Sequence, residues 1–205
     1  MKEKWKFLWY TLIHPVDGFY EIRHHRKGSL LLALLLVLLF AISFSINRQY
    51  ASFVVSDIPQ AKINSPMEIS LILGLYLLFC TANWSVICLT EGSGRFVDIL
   101  TTTGYSLLPM VLLLIPATIL SGAIVQNEEE FYFLLIGFSV LWSFLMLLTG
   151  LMQTHEYTLG KTLLSVVFTV VAILIILFLM LLFFSLMEQV WSFFVSIYNE
   201  LMLHM

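Results

Sequence analysis

EGSGRFVDILTTTGYSLLPMVLLLIP, residues 91–116, opens as a polar stretch punctuated by glycine and passes without a clear break into an apolar run carrying Pro109 and Pro116. A connector whose only task was to join two membrane spans would tolerate nearly any polar residues. This one combines Gly92 and Gly94, Arg95, the carboxylates of Glu91 and Asp98, and three threonines. Its first part predicts a tight turn in which Gly92 and Gly94 adopt conformations closed to other residues, with Asp98 or the threonines at 101–103 capping the helix that follows. Its second part predicts a membrane span over 103–125. Each proline there removes one backbone hydrogen bond and crowds the carbonyl four residues earlier, so Pro109 and Pro116 are expected to kink the span about two turns apart on one face.

Outward from this stretch the chain is built for lipid. Of its 205 residues, 60% are hydrophobic and 11% charged, against about 45–50% and about 25% in soluble domains, and the mean hydropathy is +0.96. The expected fold class is all-α: a polytopic membrane protein with a five-helix transmembrane bundle and amphipathic segments at both ends. Runs at 30–46, 69–90, 131–152 and 162–187 supply the other four spans, each near the roughly 20 residues that cross a bilayer. The first lacks a small-residue cleavage pattern after it and is expected to be retained.

Three units are expected: an interfacial segment at 1–28, a transmembrane unit at 29–187, and a C-terminal amphipathic helix at 188–205. That last helix either lies in the interface or continues the fifth span beyond the membrane. In the first unit, basic residues alternate with aromatic ones, the pattern of a segment on the inner membrane surface. Pro15 disfavours helix at His14 and separates a helix ending near Ile13 from a second one starting at 16–18.

Loop charge sets an orientation. With the N-terminus inside, the inner segments carry six, one and one Lys or Arg, and the outer ones two, none and none. This places the N-terminus and the connectors at 91–104 and 153–161 on the cytoplasmic side, and the C-terminus outside.

The inner face then gathers His14, Asp17, His24, His25, Glu91, Arg95, Asp98, His155, Glu156 and Lys161. None of it matches a known chemistry by spacing. His155-Glu156 lacks the second histidine of a zinc helix, the glycine turn lacks the Gly-Lys-Ser/Thr ending of a phosphate loop, and there is no nucleophile elbow. Cys80 and Cys88 are eight positions apart on one helix, roughly 12 Å, too far to pair. No cofactor is expected. Asn83, inside the second span, is expected to bond to a neighbouring helix.

An HPxxxF segment before the first span (His14, Pro15, Phe19), five spans with the N-terminus inside, a glycine-rich second connector flowing into GYSLLP (Gly104 to Pro109) and a short inner turn after the fourth span together resemble the Yip family of Ypt/Rab-interacting-type membrane proteins. The resemblance covers nearly the whole chain. It implies a five-helix membrane domain, which in eukaryotic members is tied to Golgi and vesicle traffic and to binding Rab-type GTPases through a longer cytoplasmic N-terminal region. The 28 residues here leave little room for that region, so the chain is more similar to the short prokaryotic branch. That branch implies a bacterial plasma membrane and an association with transport systems.

The first expectation is therefore a non-enzymatic scaffold or accessory subunit. Its partners would be membrane lipid, another membrane protein or a second copy of itself, and a transport-system component, with no nucleic acid. Arg95, Asp98, His155, Glu156 and Lys161 would make the polar docking contacts, and His14, Pro15, Gly92, Gly94, Gly104, Pro109 and Pro116 would shape the fold. A transporter with a path beside Pro109 and Pro116 is the alternative. A metal-dependent hydrolase built on His155 and Glu156 is a third.

Overall fold

The computed structural model describes residues 2–52, 64–90, 92–123 and 128–203. Among these the chain is all helix: α1 (Lys2–Ile13), α2 (Pro15–His24), α3 (Leu30–Tyr50), α4 (Ser65–Thr90), α5 (Phe96–Ser106), α6 (Leu108–Ser121), α7 (Glu129–His155) and α8 (Leu159–Leu203). Five segments are long and apolar enough to cross a membrane, namely α3, α4, α5 with α6, α7 and α8. The five-span reading holds. Part of the loop expected at 47–68, and part of the acidic turn after the third span, lie outside the described residues.

The quoted stretch folds differently from its expected division into connector and span. The loop is short, and the helix starts at Phe96. Every residue from Asp98 to Ser106 is buried, because α5 is surrounded by α2, α3, α4 and α7. Polar side chains survive there by returning their hydrogens locally: Thr101 Oγ1 donates to the carbonyl of Val97 and Ser106 Oγ to that of Thr102, each at 2.8 Å. The remaining partners are other helices. Tyr76 donates to the Leu100 carbonyl at 2.7 Å, and Thr102 and Thr154 share a hydroxyl bond of 2.8 Å.

Pro109 breaks this span where a kink was expected. α5 ends at Ser106, Leu107 turns, and α6 begins with Pro109 in its first turn, where a missing N–H costs nothing. Pro116 does lie inside a helix. Gly104 is needed for proximity, since a Cβ there would stand 2.8 Å from Ala33 Cβ and 2.9 Å from its carbonyl oxygen. Helices α3 and α5 therefore touch backbone to backbone.

The N-terminal segment is part of the bundle as well as of its surface. Pro15 opens α2 one residue after the break at His14, whose ring stacks on Tyr10 at 5.0 Å. Gly18 lets α2 press against Thr11 of α1. Leu8, Leu12, Phe19 and Ile22 then join Ala33, Leu36, Tyr105 and Met146 in one core. Trp5, Trp9, Tyr10 and Tyr20 face outward, the arrangement an interfacial pair of helices requires.

At the other end of the chain, α8 runs unbroken through position 187, so the residues on either side of that position form one helix. At about 1.5 Å per residue its 45 residues extend roughly 67 Å, about twice the hydrocarbon core of a bilayer. Among its residues whose exposure is described, only Thr162, Ser165 and Thr169 are buried, one small polar seam at spacings of three and four that meets α4.

Candidate functional site

At the end of the bundle where α2 stops, α5 starts and α7 turns into α8, the polar residues converge. Asp98 stands in the first turn of α5, where a carboxylate is favoured by the helix dipole, and it is 6% exposed. Arg23 reaches it from the last turn of α2, with Nη1 2.9 Å from Oδ2, and its Nη2 donates to the carbonyl of Ser93. Arg95 grips the same carboxylate from the loop through Nε at 3.0 Å and Nη2 at 3.2 Å. Two guanidinium groups thus share one buried carboxylate, and three separate segments are tied at one point. The bonds to Asp98 push the Arg95 pKa up.

Asp98 does not cap α5, contrary to expectation. The N-cap is Arg95, with no side-chain cap, and Asp98 is committed to the two arginines. Nor do the glycines serve turn geometry: among the described residues no glycine has a positive φ. They are there for room. A Cβ on Gly94 would collide with the ring of His155, and one on Gly92 with the hydroxyl of Tyr157. The loop at 92–95 is laid flat across the α7–α8 corner.

That corner is held by a second network. His155 is 2% exposed, and its Nε2 lies 3.0 Å from Asn83 Oδ1. Asn83 Nδ2 donates to Thr169 Oγ1 at 3.0 Å, and Thr169 in turn donates to the Ser165 carbonyl. These directions leave the Asn83 oxygen as acceptor and put the His155 proton on Nε2. Asn83 therefore joins α4, α7 and α8, as its place inside a span predicts. Tyr157 hydroxyl pairs with Thr90 Oγ1 at 2.8 Å, and Lys161 Nζ sits 4.4 Å over the Tyr157 ring.

The five expected contact residues therefore share one end of the molecule in unequal roles. Arg95, Glu156 and Lys161 are exposed, whereas Asp98 and His155 are buried with internal partners and offer no surface to dock on. Glu156 lies 3.7 Å from His24, at the left-handed turn that ends α7. His155 and Glu156 diverge, and among the described residues no three His, Cys, Asp or Glu groups stand close enough to share a metal ion. Glu91 lies outside the described residues.

Arg23 is the participant that sequence reasoning missed. It follows Phe19 and Ile22 at helical spacing on the buried face of α2, and that register is the signal that would have found it. Beside it, Glu21 bonds Lys27 at 2.6 Å, and this bond holds its carboxyl below the usual range.

Two hollows open beside the arginines. One, about 330 Å³, is lined by Ile22, Arg26, Gly28, Leu30, Arg95, Val97, Asp98 and Thr101. The other, about 400 Å³, is lined by Arg23, His24, Arg26, Ser93, Arg95 and Glu156.

A model of the Yip1 domain matches residues 9–194, from the middle of α1 to well into α8. No curated protein and no solved structure matches the chain.

Proposed function

Since the chain belongs to the Yip1 domain family, we propose that this integral membrane protein is a non-enzymatic scaffold or accessory subunit that binds partner membrane proteins, among them a transport system. Its membrane is the plasma membrane of a bacterium, with the N-terminus and the arginine-rich end in the cytosol and the C-terminus outside. The observation that carries the reading is α8. Beyond Ile176 every residue whose exposure is described is exposed, and these include Trp191, Phe193, Phe194 and Tyr198.

The hydrocarbon core accounts for about 20 residues of helix, fewer than half of the 45 in α8. The excess is a ribbon of aromatic and aliphatic surface larger than a monomer ordinarily leaves bare. A partner's helices would cover it, and the exposed Arg95, Glu156 and Lys161 would set polar register at the cytosolic end. Around Pro109 the neighbours are packed core, with Leu108 joined to Leu36, Tyr105 and Met146, which supports a scaffold over a path through the third span.

Co-purification tests this. The full chain and a chain ending at residue 187 are extracted in several mild detergents, and the partner is expected with the first and absent from the second. A full chain that is a solitary monomer throughout rules the scaffold out. The orientation has its own check: a reporter fused after Met205 that is active in the cytosol would reverse it.

A further inference from the structure

We infer that the hollow between the α2–α3 linker and the start of α5 binds the phosphate of an anionic phospholipid headgroup, with Arg26 and Arg95 as its ligands. The inference rests on the membrane placement of the bundle and not on the scaffold reading.

The linker is pinned on both sides of Arg26. Lys27 is ion-paired to Glu21 at 2.6 Å, Ser29 N donates to the Tyr105 hydroxyl at 3.3 Å, and Gly28 fits so closely that a Cβ would stand 2.9 Å from both Ile22 and Thr101. Between these anchors Arg26 is held at φ 50°, a left-handed conformation that side chains other than Asn, Asp and Gly seldom adopt. Its side chain lines both hollows. Yet among the described residues it makes no hydrogen bond or ion pair. A strained backbone that presents an exposed, unsatisfied guanidinium is explained by a ligand the guanidinium meets.

The charges around it favour an anion. Arg23, Arg26 and Arg95 face two carboxylates: Asp98, already shared by two of them, and Glu156, which lies beside His24. Arg95 spends Nε and Nη2 on Asp98 and keeps Nη1. A planar fork with free donors suits phosphate oxygens, which accept two parallel bonds.

The walls assign the source of the phosphate. Ile22, Leu30 and Val97 are apolar, and Val97 is 51% exposed. Leu30 is the first residue of one span and Phe96 the first of another, so the hollow lies at headgroup depth with its apolar wall toward the acyl chains. A free phosphate would use the arginines and gain nothing from that wall.

The test uses the full chain reconstituted with phosphatidylcholine alone or with added phosphatidylglycerol, and reads retained lipid by native mass spectrometry together with the thermal midpoint. Arg26→Gly removes the guanidinium and suits a left-handed backbone, so the midpoint should hold while retained phosphatidylglycerol falls about tenfold, the loss of one charged hydrogen-bonding group. Val97→Glu, which sets a carboxylate at the mouth, should lose it too. Lys161→Gln removes a positive charge at the same end outside the hollow and should leave retention unchanged. Excess inorganic phosphate should not displace the lipid. The inference is overturned by equal retention of the two lipids, by equal loss in Lys161→Gln, by full retention in Arg26→Gly, or by displacement with inorganic phosphate, which would mark a site for free anions.

Discussion

Helices α5 and α8 invert the usual relation between polarity and burial. The shorter, α5, carries Asp98, three threonines and Ser106 and is enclosed by four neighbours, whereas α8 is mostly apolar and nearly bare. In water this arrangement would be backwards. In a bilayer an apolar face gains little by leaving lipid, while a polar group gains a great deal by finding a partner, so polar side chains collect at helix contacts and apolar ones face out. The hydroxyls and the carboxylate of α5 thus mark the centre of the bundle.

The comparison breaks most sharply at Asp98. Asp98→Ala would leave Arg23, whose side chain is 15% exposed, without its carboxylate, while the half-exposed Arg95 can turn to water, and removing one partner of a buried ion pair costs about 3–5 kcal/mol. Unfolding by heat or denaturant in detergent should show a loss of that size. A variant as stable as the parent would reduce the cluster to surface decoration. Next is Gly104→Val, where the added atoms meet the backbone of Ala33 and overpacking costs about 1–3 kcal/mol. Gly137→Val is its control, since a Cβ at Gly137 meets nothing within 4 Å. If both glycines tolerate valine equally, α3 and α5 do not touch as described.

How much of this was legible follows from the same physics. The spans were legible because hydrophobic length is a one-dimensional signal, and Asn83 because a buried amide in a span needs a partner. The start of α5 was hidden, since FVDILTTT reads as a polar connector until Thr101 and Ser106 are seen to bond their own helix and Asp98 to be neutralised from outside it. Pro109 could be read as a helix kink or a helix start, and only the turn at Leu107 decides. Gly92 and Gly94 suggested turn geometry, but what they make room for, Tyr157 and His155, is more than 60 positions away in the chain. The ion cluster shares this long-range character: Arg23 and Asp98 are 75 residues apart.

Asn83→Leu probes the side-chain bond that fastens α8 to α4 among the described residues. It strips His155 and Thr169 of their shared partner, and hydrogen bonds between membrane helices are worth about 1 kcal/mol. The double variant with Thr169→Val should add little to that loss, since both changes remove the same bond. Full additivity would mean that the amide and the hydroxyl act separately.

The smallest effect is expected at the far end of α8. A chain ending at residue 187 keeps Thr162, Ser165 and Thr169 and every residue of α8 described as buried or half-buried, so its stability against heat should match that of the full chain within about 0.5 kcal/mol. A larger drop would mean that residues beyond 187 pack on their own bundle and that the contrast with α5 is overstated. An unchanged midpoint together with loss of the co-purifying partner separates what holds this protein together from what it offers to others. The buried polar helix would serve the first purpose and the bare apolar one the second.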